Sequence, residues 1–296
     1  MVGLEHISKS YAGLRALEDV TLDVPPRSVT VLAGADGAGK STLLRIVVGL
    51  VSQDSGRVTL DGRDIGDDPS RMTEAAGFMP ERFSLYADLT VEENLNFFAD
   101  IHGVPGRRRE EMKKKLLERT GMLPFRHRRA GALSGGMKQK LALSAMLLAS
   151  PRLLLLDEPT TGVDPLSRIE FYGIIRELRD EGRTILMATP YLAEAEKGDS
   201  IVFLKKGRVL LQDSIARLKR TFPARIFRIL PRGNVFEALR RLEELGGAGR
   251  NAYLHGRTLR LMLTGGEEPS GLVEAVSIAE EKPTLEDIYI YYERQA

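Results

Sequence analysis

Nine consecutive residues, Gly34-Ala35-Asp36-Gly37-Ala38-Gly39-Lys40-Ser41-Thr42, have the types and spacing of chemistry directed at a phosphate. They fit G-x-x-x-x-G-K-[ST], a loop whose backbone N–H groups can surround the phosphates of a nucleotide. The glycines permit positive φ and close backbone approach. Lys40 offers a point charge for the β- and γ-phosphates, and Ser41 offers a hydroxyl for Mg²⁺. Such a loop works only if a strand delivers it and a helix leaves it. Ser28-Val29-Thr30-Val31-Leu32-Ala33 is apolar and β-branched and predicts a buried strand, while Leu43 to Leu50 predicts an apolar helix. That order aims a helix N-terminus at an anion. A glycine-rich turn matching by chance is the alternative, and the flanking elements weigh against it.

A phosphate loop of this kind also needs an acidic strand end. Leu153-Leu154-Leu155-Leu156-Asp157-Glu158-Pro159 supplies one: four apolar residues bury a strand and two carboxylates emerge at its carboxyl end, where open α/β sheets hold their ligands. Asp157 is the candidate for the Mg²⁺ shell and Glu158 the candidate general base that polarises the attacking water. Just before that strand, Leu133-Ser134-Gly135-Gly136-Met137-Lys138-Gln139 starts a helix. Ser134 is a good N-cap and the two glycines expose N–H groups, which makes a second anion-directed helix end.

The order of these three motifs resembles the ATP-binding cassette family of ATPases. Thr160-Thr161-Gly162-Val163-Asp164-Pro165 is similar to the family's D-loop, and Tyr11 stands where the family stacks an aromatic ring on adenine. The resemblance covers residues 1 to about 220. It implies an α/β fold with a P-loop core: a mixed sheet in a RecA-like subdomain, an antiparallel β-subdomain and a helical subdomain at about 82–150. It implies ATP and Mg²⁺ as cofactors and a head-to-tail dimer with two nucleotides at the interface. Ser134, Gly135 and Gly136, with Gln139 counted in the same nucleotide contact, would then meet the partner's γ-phosphate. The remaining partner would be an integral-membrane permease subunit, placing the chain on the cytoplasmic face of a membrane.

Two positions depart from the family's pattern. Within Gly77-Phe78-Met79-Pro80-Glu81-Arg82-Phe83-Ser84-Leu85-Tyr86, the Q-loop of the resemblance, the usual Gln is Glu81. A carboxylate can still ligate a hard cation, and it adds negative charge near Glu158, which tends to raise one carboxyl pKa. After Thr184-Ile185-Leu186-Met187-Ala188-Thr189 the family's switch His is replaced by Pro190, which has neither a side-chain donor nor an N–H. Losing a transition-state donor commonly costs on the order of 3 kcal/mol, about a hundredfold in rate. Thr189 and Tyr191 are the neighbouring hydroxyls that could substitute. Pro283-Thr284-Leu285-Glu286-Asp287-Ile288-Tyr289-Ile290 resembles the tail of ATPase subunits of drug- and polysaccharide-type exporters. Its plain alternative is an amphipathic helix capped by Thr284.

The supporting elements can be read along the chain. Val2-Gly3-Leu4-Glu5-His6-Ile7 and Val20-Thr21-Leu22-Asp23-Val24 alternate and predict antiparallel strands with one solvated face. Thr90 to Gly121 turns helical, with Leu95, Phe98 and Ile101 on one apolar face. Phe97 and Phe98 could form a docking groove or simply pack. The charge run Arg107-Arg108-Arg109 to Lys115 predicts a solvated helix face. Ile201 to Leu204 and Arg208 to Leu211 predict a hairpin through Lys205-Lys206-Gly207. A boundary is expected near Pro223, giving an ATP-binding domain at 1–220 and a small accessory α+β domain at 221–296 of ferredoxin-like character.

Composition narrows the function classes. The 296 residues are 43% hydrophobic with a net charge of +2, so no global basic field points to nucleic acid. The absence of cysteine excludes disulfides and thiol catalysis. Met1 to Ile7 has no signal-peptide core and the longest apolar runs are too short to span a bilayer, so any membrane role is expected to need a partner. Only about 90 residues separate the first two motifs, with no sustained heptads, which argues against a coiled-coil DNA-repair relative. The leading expectation is an exporter ATPase subunit. Its rival is a mainly regulatory, non-hydrolytic half of an asymmetric pair.

Overall fold

A computed structural model of the chain describes residues 2–66, 68–82, 85–245 and 251–295; Met1 of the expected first strand and Phe83 and Ser84 of the Q-loop segment lie outside the described residues. The chain divides into two compact units, Met1–Gln212 and Asp213–Ala296.

The first unit opens with β1 (Val2–Tyr11) and β2 (Leu14–Val24), paired antiparallel with Val2 opposite Val24 and Leu4 opposite Leu22. Their inward residues Leu4, Ile7, Val20 and Leu22 are buried. Alternation holds over residues 20–24 of β2, but in β1 a register shift between Leu4 and Ile7, with His6 at φ 54°, brings both onto the core face three residues apart. β3 (Val29–Ala33) leads through the glycine loop into α1 (Lys40–Val47). Next come β4 (Ser55–Leu60), β5 (Arg63–Asp64), α2 (Ser70–Ala75) and β6 (Ala76–Met79), followed by α3 (Val91–Ile101), α4 (Gly106–Arg119) and α5 (Gly135–Leu147). The unit continues with β7 (Leu153–Asp157), α6 (Pro165–Asp180), β8 (Thr184–Thr189), α7 (Leu192–Ala195), β9 (Ser200–Lys205) and β10 (Arg208–Ser214). One sheet runs β2-β1-β4-β5; the other runs β10-β9-β3-β8-β7-β6.

In the six-stranded sheet β3, β6, β7, β8 and β9 pair parallel. Every residue of β3, β7 and β8 is buried, as expected of parallel strands covered on both faces. The register decides where the chemistry falls: Ala33 lies opposite Thr189, and Asp157 opposite Ala188. The phosphate loop, the acidic pair and the segment around Pro190 therefore leave the sheet at one edge, its carboxyl end. Lys206 and Gly207 take φ of 49° and 78° at the hairpin turn between β9 and β10.

The helical face expected from Leu95, Phe98 and Ile101 is rotated from that reading. Val91, Asn94, Leu95 and Ala99 are the buried positions of α3, and Ile101 is 62% exposed. Asn94 is buried because its amide donates to the carbonyls of Tyr86 and Thr90 while its oxygen accepts from the Tyr86 N–H. Thr90 and Glu93 close a capping box at its start.

The second unit begins ahead of the expected boundary. It includes α8 (Ile215–Arg220), then β11 (Arg225–Pro231), α9 (Val235–Leu245), β12 (Ala252–His255), β13 (Thr258–Leu263), β14 (Ala275–Glu281) and α10 (Leu285–Gln295). Its antiparallel sheet runs β12-β13-β11-β14. That is the strand order of a ferredoxin-like sheet, but residues 264–274 between β13 and β14 form no helix.

Candidate functional site

Gly39 caps α1 at φ 104°, in left-handed space. A Cβ there would come within 2.7 Å of the Ala16 carbonyl oxygen, and one on Gly34 within 2.3 Å of the Leu204 carbonyl oxygen. Both glycines are thus demanded by neighbouring backbone as well as by the loop's own turn. The geometry folds Lys40 back under the loop, where its Nζ donates to the carbonyls of Gly34 at 2.9 Å and Ala35 at 3.2 Å. Glu158 Oε1 is 3.4 Å from the same Nζ, and Asp36 Oδ1 is 3.9 Å away.

Ser41 Oγ donates to Asp157 Oδ1 at 2.8 Å. Asp157 is fully buried and its Oδ2 has no hydrogen-bond partner among the described residues. Burial pushes its carboxyl above the usual aspartate range; the Ser41 hydrogen bond opposes this, and the charges of Glu158 and Glu81 add to it. Of these contributions the Glu81 charge is the smallest. A buried, unpaired carboxylate oxygen beside a hydroxyl fits a hard cation. Among the described residues no group of three acidic, His or Cys side chains forms a protein-only cage. Mg²⁺ commonly needs only one or two carboxylates plus phosphates and water.

Glu158 sits at φ 48° while its N–H donates to the Ala188 carbonyl at 3.0 Å. A left-handed non-glycine residue costs roughly 1–2 kcal/mol. Here the strand bond and the Lys40 contact hold the carboxylate out of β7 toward the loop.

These groups face a cleft of about 820 Å³. Of the residues singled out in the sequence, Tyr11, Asp36, Gly37, Gly39, Lys40, Ser41, Thr42, Glu81 and Glu158 line it; Arg15, Lys206, Pro190 and Tyr191 line it too, and sequence reasoning gave the first two no role. Their signal lay in pairing, since the β1–β2 turn and the β9–β10 turn reach one rim only once the sheets form. Tyr11 ends β1 and is half-exposed with Lys9 Nζ 5.5 Å from its ring centroid. Gly34, Ala35 and Ala38 shape the loop without lining the cleft.

Ser134, Gly135, Gly136 and Gln139 do not line this cleft; Gly135 and Gln139 line a neighbouring one of about 320 Å³ that shares Glu81 and Thr161 with it. Ser134 Oγ accepts from the Met137 N–H at 3.3 Å, the expected cap. Gly136 has a second reason to be glycine. A Cβ would meet Ser167 Cβ at 2.4 Å and Oγ at 2.5 Å, so α5 and the start of α6 touch there.

Thr189 does not remain available as a substitute donor. It is 1% exposed, and its hydroxyl donates to Glu194 Oε2 at 2.8 Å. Glu194, which sequence reasoning passed over, is a buried hub. It also accepts from Thr160 Oγ1 and from Tyr172 OH, each at 2.9 Å, and lies 3.2 Å from Arg168 Nε.

Similar proteins give this geometry a setting. A family profile described as ABC transporter covers residues 17–161. The chain is 38% identical to "Probable multidrug ABC transporter ATP-binding protein YbhF" of Escherichia coli K12, over 98% of this chain and 51% of that protein, so it spans about half that relative's length. It is 31% identical to "Daunorubicin resistance ATP-binding protein DrrA3" of Streptomyces coeruleorubidus, over 98% of this chain and 95% of that one. Among solved structures, the "ATP binding subunit of ABC transporter" superposes with a TM-score of 0.66 at 31% identity, covering 75% of this chain and 93% of that one. A dimeric ATP-binding cassette in a post-hydrolysis state with ADP and Pi superposes with a TM-score of 0.66 at 26% identity, over 73% and 99%. No helix among the described residues is long and apolar enough to cross a membrane.

Proposed function

The chain belongs to the ATP-binding cassette family, as an ABC transporter ATP-binding protein, and on that footing we propose that it binds and hydrolyses MgATP to drive a separate membrane exporter subunit. The observation that carries the reading is the convergence of Lys40, Ser41, Asp157 and Glu158 at one sheet edge, with Asp157 Oδ2 buried and unpaired.

In this reading the N–H groups of residues 34–42 surround the phosphates and Lys40 exchanges loop carbonyls for β- and γ-phosphate oxygens. Ser41 and Asp157, with Glu81 at the rim, would hold Mg²⁺, whose charge offsets the charge developing on the phosphates. Glu158 orients the attacking water and takes its proton as the bond to the γ-phosphorus forms and the bond to ADP breaks. Tyr11 stacks on the adenine. Ser134, Gly135, Gly136 and Gln139 reach the nucleotide of a second cassette packed head-to-tail, a reading supported by their absence from the lining of the chain's own cleft. The α3 region, where Tyr86 and Phe97 meet at 4.5 Å and Phe97 and Phe98 at 5.4 Å, receives the permease on the cytoplasmic face of the membrane. The exporter assignment is supported by relatives named for multidrug and daunorubicin resistance. Residues 213–296 act as an accessory domain.

Pro190 and Glu81 favour one second reading, a mainly regulatory half of an asymmetric pair whose Ser134, Gly135 and Gly136 complete a partner's site. Steady-state MgATP hydrolysis across a range of protein concentrations, beside Glu158→Gln, separates the two. Activity rising faster than linearly and lost in Glu158→Gln supports a working dimer; ATP binding without turnover supports the regulatory half.

A further inference from the structure

Resting on that ATP-binding reading, we propose that the Tyr191 hydroxyl is the γ-phosphate donor of this site, a catalytic contact made by a neutral phenol. Three observations lead to it.

The first is elimination within Thr189-Pro190-Tyr191. Pro190 can donate from neither ring nor backbone. The single hydroxyl proton of Thr189 is spent on Glu194 Oε2 at 2.8 Å, and its oxygen accepts from the Tyr191 N–H at 3.1 Å. Tyr191, by contrast, is 47% exposed and its hydroxyl makes no hydrogen bond among the described residues. The second is position. Tyr191 lines the same cleft as Lys40, Ser41 and Glu158, to which the proposed reading assigns the terminal phosphate, the cation and the attacking water.

The third is anchoring. The Tyr191 carbonyl accepts from the N–H groups of Glu194 at 3.0 Å and Ala195 at 3.1 Å, which fixes its backbone at the start of α7. The Arg168 guanidinium lies 5.7 Å from its ring centroid, within the range of a cation–π contact. Arg168 is itself held by the Val163 carbonyl at 3.2 Å and by Glu194. A ring fixed at backbone and face, with its one polar atom unspent, is a preorganised donor of the kind that stabilises charge developing on a phosphate. A phenol donor also adds this contact without adding charge to the cleft.

The test compares the full-length chain with Tyr191→Phe, which keeps the ring under Arg168 and removes only the oxygen. MgATP and MgADP affinities are measured by isothermal titration calorimetry, and turnover at saturating MgATP. The expected result is MgADP affinity within about twofold of wild type and MgATP affinity about tenfold weaker, with turnover, where the wild type shows it, about a hundredfold lower. A Tyr191→Phe chain whose ATP-to-ADP affinity ratio and turnover equal wild type overturns this inference and leaves the ATPase reading standing. A wild-type chain that binds neither nucleotide overturns both.

Discussion

Replacing Glu194 by Gln should destabilise the first unit far more than the small change in shape suggests. The carboxylate is 4% exposed and collects hydrogen bonds from Thr160, Tyr172 and Thr189 plus the Arg168 ion pair. Burial, then the Glu194 charge, push the Tyr172 phenol far above its ordinary value, so it stays protonated and donating. A glutamine can keep its oxygen on the three hydroxyls, but its NH2 then faces Arg168, donor against donor. Three charge-assisted bonds become neutral ones, each weaker by roughly 1 kcal/mol. Arg168 is 34% exposed, and solvent screening limits its share to roughly 1 kcal/mol or less. These contributions overlap at one carboxylate and do not simply add, so the expected loss is about 3 kcal/mol, the low end of what breaking a buried pair costs. Thermal unfolding followed by far-UV circular dichroism should fall by roughly 6–12 °C. A shift below about 2 °C would refute the reasoning, because it would mean that Thr160 and Thr189 are held without the carboxylate.

Three further outcomes follow from the same geometry. Asp157→Asn should raise the melting temperature of the nucleotide-free chain by a few degrees while abolishing stabilisation by MgATP: a carboxyl raised on folding costs stability once the pH passes its unfolded value near 4, and differential scanning calorimetry with and without MgATP reads both effects. Gly136→Ala forces a Cβ to within 2.4 Å of Ser167 Cβ and should cost about 1–3 kcal/mol in urea unfolding, with the larger effect on ATP hydrolysis because the clash falls between the start of α5 and the start of α6, beyond Glu158. In the second unit, burial raises the Asp287 carboxyl, but Arg260 and the N–H and hydroxyl of Thr284 outweigh it and hold it below the usual range. Its contribution is therefore present above about pH 4 and lost as pH falls through its folded value, so urea unfolding should show Asp287→Asn well below wild type at pH 7 and the gap narrowing near pH 3.

What could be read from the sequence and what could not divide along a physical line. The phosphate loop and the Leu153–Asp157 strand were legible because each is local: the glycines, the β-branched run and the carboxylates sit within a few residues of one another. β6 was not, since Ala76-Gly77-Phe78-Met79 has little strand propensity and becomes a strand through its parallel pairing with Leu153–Leu156. The terminal Pro-Thr-Leu-Glu-Asp run was half legible. Thr284 as a cap could be read, and Thr284 Oγ1 indeed accepts from the Asp287 N–H at 3.2 Å. That Asp287 also takes Arg260 at 2.8 Å and Tyr253 at 2.9 Å could not, because those partners arrive from β13 and β12. Glu194 is the same case inside the ATPase unit. Its partners come from the turn after β7, from α6 and from the end of β8, and no periodicity joins residues 160, 172, 189 and 194. The hub binds Thr160, two residues beyond Glu158, to Thr189, two residues before Tyr191. Glu194 thus ties the segment after β7 to the end of β8, and in the proposed reading its loss should register in stability and in turnover together.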